Sequence, residues 1–132
     1  MFETMTVDAA TEAELVAALE AVPAGPKLAA ALDAIDISGV DAYGRVEVWQ
    51  AHQRLVAHYQ AKGYLDMVAV EDHLLSNGDD EIAAFEGTSA EFGAAGALTR
   101  RGADAEATFA DGLWRRLPRV GAALYAGLID HR

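Results

Sequence analysis

The chain predicts an all-α fold: a multi-helix bundle with one long central helix and a helix-turn-helix-like C-terminal part. Three observations predict it. Hydrophobic residues make up 52% of the sequence but aromatic ones only 8%, because alanine supplies much of the apolar content; close-packed helices use such a composition, and a sandwich of β-branched strands does not. Apolar residues recur at spacings of three and four in most segments. The stretch from Val40 to Asn77 contains no proline, which leaves room for a single long helix. At 132 residues and 14.0 kDa the chain suits one domain with one core.

The elements follow in order. Thr11 with Glu14 three residues on has capping-box spacing, and Leu15, Ala18 and Leu19 share a stripe, so a first short helix runs toward Pro23. Pro26 suits a first-turn position, and Leu28, Leu32 and Ile35 define a second helix ending around Asp36. Residues 1–37 thus read as an N-terminal helical arm. Ser38 with Asp41 offers the next cap, and 38–78 reads as one long helix, or as two helices meeting at Gly63, closed at Asn77-Gly78. Trp49, Val56, Tyr59, Val70 and Leu74 lie close to one stripe of it, broadened by Val48, Leu55, Met67 and Val68. A helix of that length needs a cover, and Trp49, Val56 and Tyr59 are the expected interface with a second copy of the chain.

"SNGDDEIAAFEGT" reads as an acidic connection with one helical turn. Residues 88–132 form the helix-turn-helix-like part: Thr88 with Glu91 caps a short apolar helix, Thr99 caps the next, and Pro118 closes or restarts it. Along that segment Ala103, Ala107, Ala110, Leu113, Trp114 and Leu117 are expected to pack inward. A last helix should end at Gly127, with Asp130 placed to cap a further helix.

Charge narrows the function classes. The formal net charge is −11, but it is uneven: residues 1–98 hold 4 Lys/Arg against 17 Asp/Glu, whereas residues 99–132 hold 6 against 4. Phosphate attraction dominates nucleic-acid affinity, so only the C-terminal quarter could dock on DNA. With no cysteine there are no disulfides and no thiolate metal sites. The first residues carry no basic segment followed by an apolar core, and no apolar run reaches the roughly 18 residues of a membrane span, so the expected location is the cytoplasm.

Residues that could carry chemistry are few. His52 and His58 are six apart, on different faces of one helix, whereas zinc ligands on a helix sit three or four apart. His52, near the Trp49 stripe, reads as a partly buried packing residue. Glu71, Asp72 and His73 are adjacent and therefore point apart, which suits a solvated face. Glu47 and Glu71 lack the Glu-x-x-His partners of helical metal sites. The sequence has no nucleophile elbow, no phosphate-binding loop and no dinucleotide glycine pattern; Gly93 and Gly96 instead suit close helix packing. No catalysis, no metal and no cofactor are expected.

The remaining candidate is "LTRRGADAEATFADGLWRRLP". Two arginines in the first turn of the second helix of a helix-turn-helix lie where bases or phosphates are met. Arg100, Arg101, Arg115, Arg116 and Arg119 are therefore the expected DNA-contacting set, opposed by Asp104 and Glu106 one turn later.

From about residue 38 onward, "VEVWQAHQRLVAHYQAKGYLDMVAV" followed by "AEFGAAGALTRRGADAEATFADGLWRRLPRVGAALYAGLIDHR" resembles the actinobacterial thirteen-E-twelve repeat family. The most specific parts are the "LTRRGADAE" turn, the "RLP" at 116–118 and the "AGLID" at 126–130. That family is a helical domain of unknown function that commonly precedes an HNH endonuclease domain. The resemblance implies a non-catalytic accessory domain that aids DNA engagement or dimerisation, with nuclease chemistry in a later domain. An acidic protein-interaction or oligomerisation module with no DNA binding is the alternative. A hidden enzyme would require a pocket with convergent polar groups.

Overall fold

The structure, a computed structural model, describes residues 12–129, and among them it is all-α with no strand. Six α-helices follow one another: α1 (12–18), α2 (Pro26–Asp33), α3 (Ala42–Ser76), α4 (Glu81–Ala95), α5 (Arg100–Asp111) and α6 (Pro118–Tyr125). Short 3-10 turns occupy Leu19–Ala21 and Ile37–Gly39, and a π-turn occupies Gly112–Arg116. The expected caps at Thr11 and Asp130 fall outside the described residues.

Two compact units can be distinguished. One comprises the described residues up to Tyr59 together with those from Leu124 on; the other is Gln60–Ala123. In the first, Val16, Leu19, Leu28, Leu32, Ile35, Val48 and Ala51 form the core. Pro26 stands at the first position of α2, where a missing N–H costs nothing, and Leu28 and Leu32, one turn apart, are both buried. Arg54 ties α3 to the turn after α1: its Nη1 donates to the Leu19 carbonyl at 3.0 Å and its Nη2 to the Val22 carbonyl at 2.6 Å. The Leu19 carbonyl also accepts from the Val22 N–H at 3.1 Å, so Arg54 supplies its second hydrogen bond. His58 is buried and its Nδ1 donates to the Tyr125 carbonyl at 2.6 Å, while Gly127, at φ +75°, lies against the Arg54 backbone.

α3 begins at a cap displaced from the expected one. Asp41, not Ser38, accepts from the Gly44 N–H, at 2.7 Å. Ser38 is used in the preceding 3-10 turn, where its N–H and hydroxyl both donate to Asp36. The helix then runs 35 residues without a break at Gly63, where an added Cβ would meet nothing within 4 Å. It closes as expected: Gly78 adopts φ +101°, with Gly78 N–H donating to the Leu75 carbonyl and Asp79 N–H to that of Leu74. This is a Schellman ending, for which glycine carries no Cβ penalty.

The expected stripe of α3 divides: Val48 is buried, Leu55, Met67, Val68, Val70 and Leu74 are half-buried, and Trp49, Val56 and Tyr59, the expected interface, are 60%, 48% and 45% exposed. Ala51, Ala57, His58 and Ala61 are buried with Val48. Alanines let neighbouring backbones come close, so the small-residue face is the packed one. His52, expected to be partly buried, is exposed.

In the second unit, the acidic "SNGDDEIAAFEGT" is mostly helix rather than connection. Asp80 caps α4 by accepting from the Ala83 N–H at 2.8 Å, and the helix passes straight through Thr88. Thr88 is not a cap: it is buried in mid-helix, its hydroxyl donating to the Ala84 carbonyl at 2.8 Å. Ala103, Ala107, Ala110 and Leu113 pack inward as their spacing implies, and Trp114 is partly buried with its Nε1 donating to the Ala61 carbonyl at 3.1 Å. Leu117, expected inside, is exposed. The π-turn supplies the reason: the Leu117 N–H reaches back five residues to the Gly112 carbonyl at 3.0 Å, which shifts the register of everything after Leu113.

Candidate nucleic-acid interface

α4, the turn 96–99 and α5 give the helix–turn–helix connectivity that the sequence suggests. Gly93 makes the close packing possible, since a Cβ there would stand 3.0 Å from that of Ala103. The turn is a second Schellman ending: Leu98 N–H donates to the Gly93 carbonyl at 2.8 Å, and Ala97 takes the left-handed position at φ 53°. The glycine at 96 falls one residue short of that position. Thr99 caps α5 as expected, accepting from the Gly102 N–H at 3.0 Å.

α5 therefore opens with Arg100 and Arg101 in its first turn, both exposed. The two carboxylates that stood against a DNA-facing role are directed inward. Asp104 accepts from the Ser89 hydroxyl, and Glu106 accepts from the Tyr64 hydroxyl; burial, and then this carboxylate, hold the Tyr64 phenol above its usual range. Phe109 packs on the Tyr64 ring with centroids 4.9 Å apart. The side of α5 left to solvent carries Arg101, Ala105 and Thr108, with no carboxylate among them.

The other arginines divide. Arg115, held by the π-turn, is committed to three carboxylates: its Nη2 lies 2.7 Å from Asp72 Oδ1 and 3.7 Å from Glu71 Oε1, and its Nε lies 3.0 Å from Asp111 Oδ1. Arg116 and Arg119 are exposed. Glu71, expected on a solvated face, is buried; burial first, and then the Asp111 charge, raise its carboxyl above the ordinary value although Arg115 opposes them. Asp72 and His73, its neighbours, are exposed.

Arg100, Arg115 and Arg116 border one cleft of about 870 Å³, which also carries Phe85, Glu86 and Asp111 on its walls. Carboxylates outnumber arginines along it, which makes it a poor phosphate groove. Arg101 and Arg119 lie outside its lining. Sequence spacing found the capped arginine turn; it missed the Arg115 cluster, because Glu71 and Asp72 are some forty residues away in the chain. Among the described residues, no group of three or more His, Cys, Asp or Glu is placed to hold a metal ion, and no helix is long and apolar enough to cross a membrane.

No family model, no curated protein and no solved structure matches this chain.

Proposed function

We propose that this chain is a non-catalytic helical accessory module, of the kind its resemblance to the thirteen-E-twelve repeat family implies, that aids a nuclease by weak contact with DNA phosphates. The observation that carries the reading is the first turn of α5: Arg100 and Arg101 exposed behind the Thr99 cap, with Asp104 and Glu106 drawn away to Ser89 and Tyr64. A capped helix N-terminus adds exposed N–H groups and a favourable dipole for anions. Arg116 and Arg119, also exposed in the same unit, extend the set. Arg115 leaves it, because its guanidinium is already shared among Asp72, Asp111 and Glu71.

Four phosphate contacts imply a salt slope near −3.6, so affinity for a short duplex should fall about a hundredfold between 50 and 200 mM salt. Replacing Arg100 and Arg101 together by alanine should flatten that slope by about 2. Fluorescence anisotropy with a labelled duplex at several salt concentrations reads both quantities. Absence of binding at the lowest salt, or a slope unmoved by the double substitution, would overturn the proposal.

A further inference from the structure

We infer that the outer face of α3 is the site at which two copies of this chain pair, helix against helix and antiparallel. Trp49 and Val56 lie at its centre and Val46 and Tyr59 on its two flanks, 60%, 48%, 54% and 45% exposed. Their spacing is a mirror. Trp49 lies three residues before His52 and Val56 three after Gln53; Val46 and Tyr59 lie six before and six after. An isologous two-fold contact demands such self-complementarity, since where a residue i of one copy meets j of the other, j also meets i. With the dyad between His52 and Gln53, Trp49 of one copy lies level with Val56 of the other, and Val46 level with Tyr59. The two His52 side chains then meet beside the axis.

Charge selects the occupant. The chain has 21 Asp and Glu, so two copies repel over most of their surface. The strip formed by Ala42, Arg45, Val46, Trp49, His52, Gln53, Val56 and Tyr59 contains no carboxylate, and Glu47 lies on the opposite side of the helix. A second copy can therefore approach along this strip without bringing carboxylates face to face, and Arg45 comes level with the Tyr59 region of its partner. Aromatic side chains bury about 150–250 Å² each, so at the observed exposures the four apolar residues and the stems between them bury roughly 1,000 Å² over both copies. That is the small end of specific interfaces, which suits micromolar association rather than a permanent dimer.

The pairing is independent of the DNA reading, and its salt response has the opposite sign: screening the −11 charge on each copy should strengthen it. Sedimentation of the full chain over a concentration series should show a monomer–dimer equilibrium that tightens with added salt. Trp49→Glu and Val56→Glu, at positions exposed in the monomer, should each weaken it at least a hundredfold with the helical circular dichroism unchanged. The chain lacks cysteine, so single cysteines report register directly. His52→Cys should oxidise to a disulfide-linked dimer in high yield, Val46→Cys and Tyr59→Cys poorly, and Glu47→Cys not at all. A monomer at every concentration overturns the inference, as does a dimer indifferent to both glutamate variants. Equal cross-linking at 46, 52 and 59 would show parallel pairing and overturn it too.

Discussion

Arg115→Ala separates a structural arginine from a DNA-contacting one. The side chain makes a 2.7 Å contact to Asp72, a 3.0 Å contact to Asp111 four residues earlier at the end of α5, and a 3.7 Å approach to the buried Glu71. The Asp72 and Asp111 pairs are each worth about 0.3–1 kcal/mol at this degree of exposure. Losing the cation that opposes the raised Glu71 carboxyl adds to this, because breaking a buried pair costs about 3–5 kcal/mol; with the Arg115 side chain 36% exposed, solvent screens much of that. The expected total is about 2 kcal/mol at neutral pH. The sign of its pH dependence follows from Glu71, whose native carboxyl is already raised by burial and by Asp111 while Arg115 alone opposes them. Without Arg115 it rises further, so the native state holds a proton that the unfolded chain has released. The variant therefore regains stability as pH falls from neutral through the native value toward the ordinary 4.5, and its deficit is largest at pH 7. Urea unfolding followed by circular dichroism at pH 7 and pH 5 measures both. A deficit below about 0.5 kcal/mol, or one equal at the two pH values, would refute the reasoning, as would a fall in duplex affinity with stability unchanged.

Gly63→Ala should stabilise the protein by about 1 kcal/mol in the same unfolding assay, since the site is mid-helix and open on the Cβ side. Ala97→Gly should add about 1 kcal/mol by relieving the left-handed Cβ penalty at φ 53°; no change would mean that the turn relaxes to another conformation. Leu28→Ala empties a fully buried position in the first core and should cost about 2–5 kcal/mol, read as a lowered urea midpoint at unchanged slope.

How far the fold was legible depends on whether a local rule had competitors. Pro26, Thr99 and Asn77-Gly78 were read correctly, because proline at a first turn, a threonine cap and a glycine stop each act through their own backbone. Ser38 and Thr88 were misread although their spacings were legitimate. Asp36 claims Ser38, and Asp80, eight residues upstream of Thr88, starts α4 first, so the threonine hydroxyl is satisfied inside the helix. The most closely packed face of α3 was missed for a different reason: periodicity ranks faces by bulk, and here alanines at 51, 57 and 61 with His58 make that face, joined by Val48 alone of the expected stripe. The π-turn has no sequence rule at all, and its extra residue exposes Leu117 and aims Arg115 at Asp72.

The exposure of Trp49 also bears on what charge means for function. Had Trp49 been buried, the −11 charge would have argued only against DNA and nothing would have argued for a second copy. With Trp49 exposed on a strip free of carboxylates, the same charge limits where two copies can touch and leaves them this strip. The arginine turn of α5 is limited likewise: it becomes a credible anion contact only because Asp104 and Glu106 are consumed internally. Both surfaces are gaps in an acidic coat, one apolar and one cationic, and added salt should strengthen association through the first while weakening DNA contact through the second. A single salt titration with and without duplex thus separates them, and a common response of both to salt would mean that one gap serves both roles.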